Sequence, residues 1–271
     1  MVDLQYVKKR KKKKIAALTV FGSATVATAL IIVSFLGSRV GSFTVKLRQS
    51  NVKLALTKNN DTSKSTSFLL VNELPSFDLA TNNDLLNHAQ IDNHSTDYLL
   101  GATFDKKTKE PNSLYFFKYT FYVNNVGTVA ATYDFKLKIA ENNPPRNNLA
   151  YGYDDLLRVR LYENVDESAH EYVTYAKRAR TAHQNEKGEM VYNEPISGNP
   201  TDPDFPGYAN IFDSQSVILS KTVPGFATGA YNRYTLLMWL EGSDPECEGT
   251  VIPEGGSLKL QIDIEAHESQ E

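Results

Sequence analysis

The 271 residues carry 29 basic and 32 acidic side chains, a formal net charge of −3, with a single cysteine and a single tryptophan. Charge is spread unevenly: Lys8, Lys9, Arg10, Lys11, Lys12, Lys13 and Lys14 are contiguous, and from Ile15 onward 22 basic side chains stand against 31 acidic ones, a net of −9. An acidic body of this kind argues against nucleic-acid binding, which neutralises phosphate charge, and Cys247 alone cannot close an intramolecular disulfide.

The basic run would read as a nuclear-localisation patch on its own, but its context differs. Residues 15–36 (IAALTVFGSATVATALIIVSFL) contain no charge, and 22 residues make roughly 33 Å of helix, enough to cross a bilayer. The expected organisation is therefore a basic cytoplasmic segment at 1–14, a transmembrane or signal-anchor helix at 15–36, and an extracytoplasmic domain at 43–271. Retention of lysines on the cytoplasmic side sets the orientation. Two outcomes stay open: a retained anchor, or a signal peptide whose small residues Val40 and Ser42 guide cleavage before Phe43.

Beyond residue 40, period-two alternation of apolar and polar side chains predicts strands with one buried face. The expected strands are 43–47, 52–56, 114–124, 129–139, 157–162, 217–219, 234–240 and 258–266. Residues 58–67 (KNNDTSKSTS) predict a loop, and 78–91 a short helix around Leu85 and Leu86. In 114–124, Tyr115, Phe117, Tyr119, Phe121 and Val123 share one face while Lys118, Thr120 and Asn124 take the other. Asn124, Asn125 and Gly127 predict a reversal, and alternation resumes through Ala131, Tyr133, Phe135, Leu137 and Ile139, so the two segments read as a long hairpin. Residues 141–148 and 193–209 predict loops, and 172–181 is either helix or strand. In 258–266, Leu258, Leu260, Ile262, Ile264 and Ala266 alternate with Lys259, Gln261, Asp263 and Glu265. The fold class is mainly all-β: an antiparallel β-sandwich of strands each with one wet face. Residues 43–47 and 258–266, as terminal strands, are expected at sheet edges, where a second copy could add a strand.

No motif for catalysis emerges. A helical zinc site needs two histidines one turn apart; after His170 and Glu171 the second position is Thr174. His88, His94, His183 and His267 lack ligand spacing and read as surface histidines, and there is no nucleophile elbow or phosphate-binding loop. Asp202 and Asp204, and the turn bearing Glu241, Asp244, Glu246 and Glu248, read as solvated acidic loops, with calcium as the alternative. Trp239 reads as a core or interface residue rather than a sugar platform. No catalytic, cofactor or metal residue is assigned.

Three segments together resemble the TasA/camelysin-type surface proteins of low-GC Gram-positive bacteria: the lysine-rich apolar N-terminus leading into GSFTVKL, the segment FKYTFYVNNVGTVAATYDFKLKI, and MWLEGSDPEC followed by GGSLKLQIDI. The resemblance implies a jelly-roll-like sandwich, export through a dedicated signal peptidase and, in some members, assembly into biofilm-matrix fibres. Some relatives are classed as metallopeptidases, but no catalytic residue carries over, and Arg39 interrupts the cleavage region. The expected function is a membrane-anchored or secreted surface structural or interaction protein. Its expected partners are the membrane, through 15–36, and either itself or another surface protein. The alternatives are an extracellular binding module for glycan or protein and, behind it, a camelysin-like peptidase.

Overall fold

The computed structural model describes residues 33–36, 41–49, 52–74, 99–104, 111–143, 151–164, 171–185, 187–197, 206–244 and 257–268. They are predominantly β. The strands are β1 (Val33–Leu36), β2 (Gly41–Gln49), β3 (Leu54–Thr57), β4 (Phe68–Leu74), β5 (Leu99–Phe104), β6 (Pro111–Asn125), β7 (Ala131–Asn143), β8 (Leu157–Glu163), β9 (Tyr172–Ala176), β10 (His183–Gln184), β11 (Met190–Val191), β12 (Asn210–Ile211), β13 (Val217–Phe226), β14 (Tyr231–Leu240) and β15 (Ser257–Glu268). One helical turn, α1 (Tyr153–Leu156), precedes β8.

A first sheet has the order β13–β7–β15–β2–β4, with β1 also paired to β15; a second has the order β12–β9–β8–β14–β6–β3, with β5 also paired to β6. Their apolar faces meet in one core, where Val45, Tyr133, Phe135, Leu137, Ile262 and Ile264 of the first oppose Leu56, Tyr119, Phe121, Val159, Tyr234 and Leu236 of the second. Each such side chain, fully removed from water, contributes about 1.5–3 kcal/mol. The sheets are not wholly antiparallel: β15 runs parallel to β2, and β12 parallel to β9.

Four expectations change. First, β6 and β7 are not a hairpin. β6 pairs with β14, β3 and β5, whereas β7 pairs with β13 and β15, so the chain crosses between sheets at 126–130. The alternation identifies the faces that meet but cannot distinguish strands lying side by side from strands stacked across a core. A second crossing joins β13 to β14 through 227–230. Asn125 ties the two corners together: its Nδ2 donates to Val129 O (3.0 Å) and Phe226 O (2.8 Å), and its Oδ1 accepts from Gly127 N (3.0 Å). Its backbone N–H also donates to Ala230 O, and its carbonyl accepts from Gly229 N. Gly127 packs closely here: a Cβ would sit 3.2 Å from Asn125 Oδ1 and 3.2 Å from Lys53 N, so these neighbours would have to give by a few tenths of an ångström.

Second, the expected edge strands are interior. β15 lies between β7 and β2, and β2 lies between β15 and β4, so neither has a row of free backbone groups to offer. Among the described residues β13 and β4 end that sheet, and β13 is guarded. Ser220 N–H donates to Asp213 Oδ2 (2.6 Å), Ile218 O accepts from Asp213 N (3.4 Å), and Pro224 has no N–H to give.

Third, only the first sheet keeps the expected wet face, where Lys138 pairs with Asp263 (2.6 Å) and Lys259 with Glu141. The outer face of the second sheet is buried too. Fourth, Val33–Leu36, the last four residues of the expected 15–36 span, form a strand paired antiparallel to β15. Residues 15–32 lie outside the described residues, as does the expected helix around Leu85. No helix among the described residues is long and apolar enough to cross a membrane.

Candidate functional site

The outer face of the second sheet concentrates the unusual chemistry. In β8, Val159 and Leu161 point into the shared core, and alternation sends Arg158, Arg160 and Tyr162 to the opposite face. That face is roofed by the chain between β9 and β13, whose Ile196 and Ala209 pack with Phe116, Tyr162, Ala176, Leu237 and Trp239. Beneath the roof, Arg158, Arg160 and Lys118 are buried.

Buried charge is tolerated when paired and hydrogen-bonded; Arg158 and Asp244 are both, while hydrogen bonds hold Glu241, and a hydrogen bond together with two aromatic rings holds Arg160. Arg158 Nη2 meets Asp244 Oδ2 at 2.6 Å with neither side chain exposed, and Arg158 Nε donates to Pro195 O at 3.1 Å. Glu241 accepts from Trp239 Nε1 (2.9 Å), Ser197 Oγ (3.0 Å), Ser243 N (3.0 Å) and Ser243 Oγ (2.7 Å). The Arg160 guanidinium lies between the Tyr172 and Trp239 rings, 4.1 and 5.1 Å from their centroids, and its Nε donates to Thr174 Oγ1 (3.2 Å).

These contacts correct the reading of the acidic turn. Glu241 and Asp244 are buried rather than solvated, their oxygens engaged by an indole, hydroxyls, a backbone amide and the Arg158 guanidinium. Glu246, Glu248, Asp202, Asp204 and Cys247 lie outside the described residues. Among the described residues no group of three or more His, Cys, Asp and Glu side chains could hold a metal ion. Trp239 is fully buried. His183, expected at the surface, is half-buried and stacks on Tyr208 with centroids 5.6 Å apart; His267 is exposed. Glu171 immediately precedes β9 and Thr174 lies within it, so residues 172–176 are extended rather than helical. The signal sequence reading passed over is the placement of Arg158 and Arg160 on the polar side of a strand: alternation alone cannot tell a wet face from a roofed one.

A second charged cluster fastens the edge of the roof. Lys177 pairs with Asp154 and with Asp155 (2.8 Å), and Arg180 Nη2 pairs with Asp155 (2.7 Å). Asp155 also accepts from Gly152 N (2.8 Å) at the start of α1. Burial pushes the Asp155 carboxyl up, but hydrogen bonds from Lys177, Gly152 and Arg180 and the Lys177 charge outweigh it and hold the group below its ordinary 3.8. Burial likewise pulls Lys177 down, and its hydrogen bonds and charge pairing with Asp154 and Asp155 raise it above 10.5. A depressed carboxylate contributes stability above its unfolded value that is lost as pH falls through the folded one. A raised lysine contributes stability that is lost as pH rises through its folded value. We therefore expect the melting temperature to fall on acidification below about pH 4 and Asp155→Asn to flatten that fall, as thermal melts across the acid range would show.

At the side of the sandwich, between β9 and β13, lies an open depression of about 220 Å³ lined by Leu161, Glu163, Glu171, Tyr172, Val173, Tyr175 and Lys221. Lys221 pairs with Glu163 and passes 4.9 Å from the Tyr234 ring centroid. Behind it the hydroxyls of Tyr133 and Tyr234 meet at 2.7 Å, joining the two sheets, and Asn232 Nδ2 donates to Tyr133. Burial pushes the Tyr133 hydroxyl up to about 12 and Tyr234 up as well, so both stay protonated and act as neutral hydrogen-bonding groups. Tyr175 is raised by burial and by the charges of Asp213 and Glu163. The depression presents tyrosines, an aliphatic rim and two carboxylates, of which Glu163 is paired with Lys221.

No family model matches this chain, and no curated protein matches it.

Proposed function

We propose that this chain is a cell-surface structural or interaction protein: a jelly-roll-like sandwich held on the outer side of a membrane by its N-terminus. The observation that carries the reading is the passage from seven contiguous basic residues, through an uncharged apolar stretch, directly into the first sheet at β1. With Val33–Leu36 paired to β15, residues 15–32 remain for a span, roughly 27 Å of helix, close to the about 30 Å hydrocarbon core. Cleavage before Phe43 would remove β1, which favours retention. The resemblance to TasA/camelysin-type surface proteins supports a surface role.

The interior position of β2 and β15 and the guarded edge of β13 speak against strand addition at these strands. The open depression favours a second reading, an extracellular binding module for glycan or protein. Fractionation of expressing cells with N-terminal sequencing tests the proposal. The full-length chain is expected in the membrane fraction and open to external protease. Recovery of most of the protein from the medium with Phe43 as its first residue would overturn anchoring.

A further inference from the structure

The roof over the second sheet has its own internal structure. Ala179 N donates to Tyr192 O, Ile196 N to Gly207 O and Ala209 N to Glu194 O, each at 2.9 Å. Asn193 Nδ2 donates to Ala209 O at 3.0 Å, and the Arg178 guanidinium caps the Tyr192 ring at 3.9 Å. These bonds knit residues 177–185, 187–197 and 206–209 to one another, whereas Asn210–Ile211 beyond them pair with β9 as part of the second sheet. Their grip on the sheet is different in kind. Among the described residues the apolar cluster takes Ile196 and the small Ala209 from the roof, and the polar ties include Ser197 to Glu241, Pro195 O to Arg158, and Lys177 and Arg180 to Asp154 and Asp155.

A unit bonded well within itself and fastened outward by little apolar area opens as a whole at lower cost than the sheets behind it unfold. We infer that this roof is a strap that opens as one cooperative piece, pivoting where it leaves β9 at Lys177 and where it rejoins the second sheet at Asn210, while both sheets stay folded. Opening uncovers Trp239, Phe116 and Tyr162 beside Arg158, Arg160 and Lys118, an aromatic and cationic face closed to solvent in the strapped form.

Trp239, the single tryptophan, reports the motion directly. Hydrogen exchange and acrylamide quenching on the full chain are compared for the parent, Ile196→Ala and Arg180→Met, which loosen the strap at separate points. Strap amides in the parent are expected to exchange together, about tenfold or more faster than those of β6 and β14. Either variant should raise exchange throughout the strap by a common factor and increase Trp239 quenching, with β6 and β14 unchanged. Effects confined to the neighbours of each substitution would overturn the single unit. A rise in β6 and β14 exchange in step with the strap would show that Trp239 is uncovered only by global unfolding. Arg180 is exposed at the surface, so its variant keeps the test open should Ile196→Ala fail to fold.

Discussion

Asp244→Ala is expected to destabilise the fold by about 3–5 kcal/mol, because it leaves the Arg158 guanidinium without its partner inside the protein. Both side chains are fully buried and meet at 2.6 Å, and Arg158 keeps only carbonyl acceptors such as Pro195 O once the carboxylate is gone. The sharper expectation concerns the pair. Replacing both, as Arg158→Met with Asp244→Leu, should recover most of the loss, since apolar groups of similar volume remove the desolvation cost of both ions together. Urea unfolding of the two single variants and the double variant measures this. A double variant as unstable as either single would show that the polar network as a whole, not the pair, holds the roof side of the second sheet.

Asn125→Ala is expected to cost about 2–4 kcal/mol, since it removes two donors and one acceptor from a side chain that joins both crossings between the sheets. Val129 O, Phe226 O and Gly127 N lose their partner at once. Asn125→Asp separates the bonding from the size of the side chain. It keeps the acceptor for Gly127 but aims a carboxylate oxygen at the Val129 and Phe226 carbonyls. At neutral pH it should therefore be at least as destabilising as alanine. Calorimetry of the two variants checks this; an Asp variant near the parent would mean that the corner is held by its backbone bonds to Gly229 and Ala230 alone.

The sequence by itself determined where most of the long strands lie and which way most of their side chains face. Tyr119, Phe121, Tyr133, Phe135, Ile262 and Ile264 fall where period-two alternation puts them, because a pleated strand must send successive side chains to opposite sides. Tyr172–Ala176 resolves as strand, and β7 and β15 extend slightly beyond their expected limits. Strands β4, β5, β10, β11 and β12 lie in stretches that no clear alternation marks, and β13, expected over 217–219, runs on to Phe226.

The sequence did not determine which strands are neighbours. Alternation is a property of one strand, whereas pairing depends on how the chain turns at 126–130, and Asn125 reaching Phe226, 101 residues away, is invisible locally. For the same reason β2 and β15, terminal in the chain, are interior in the sheet. The buried network was hidden in the same way. Arg158, Arg160, Glu241 and Asp244 look like solvent-facing charge until a separate stretch of chain folds across them. Only tertiary structure decides burial on a second face, because burial requires a covering segment that local pattern does not specify.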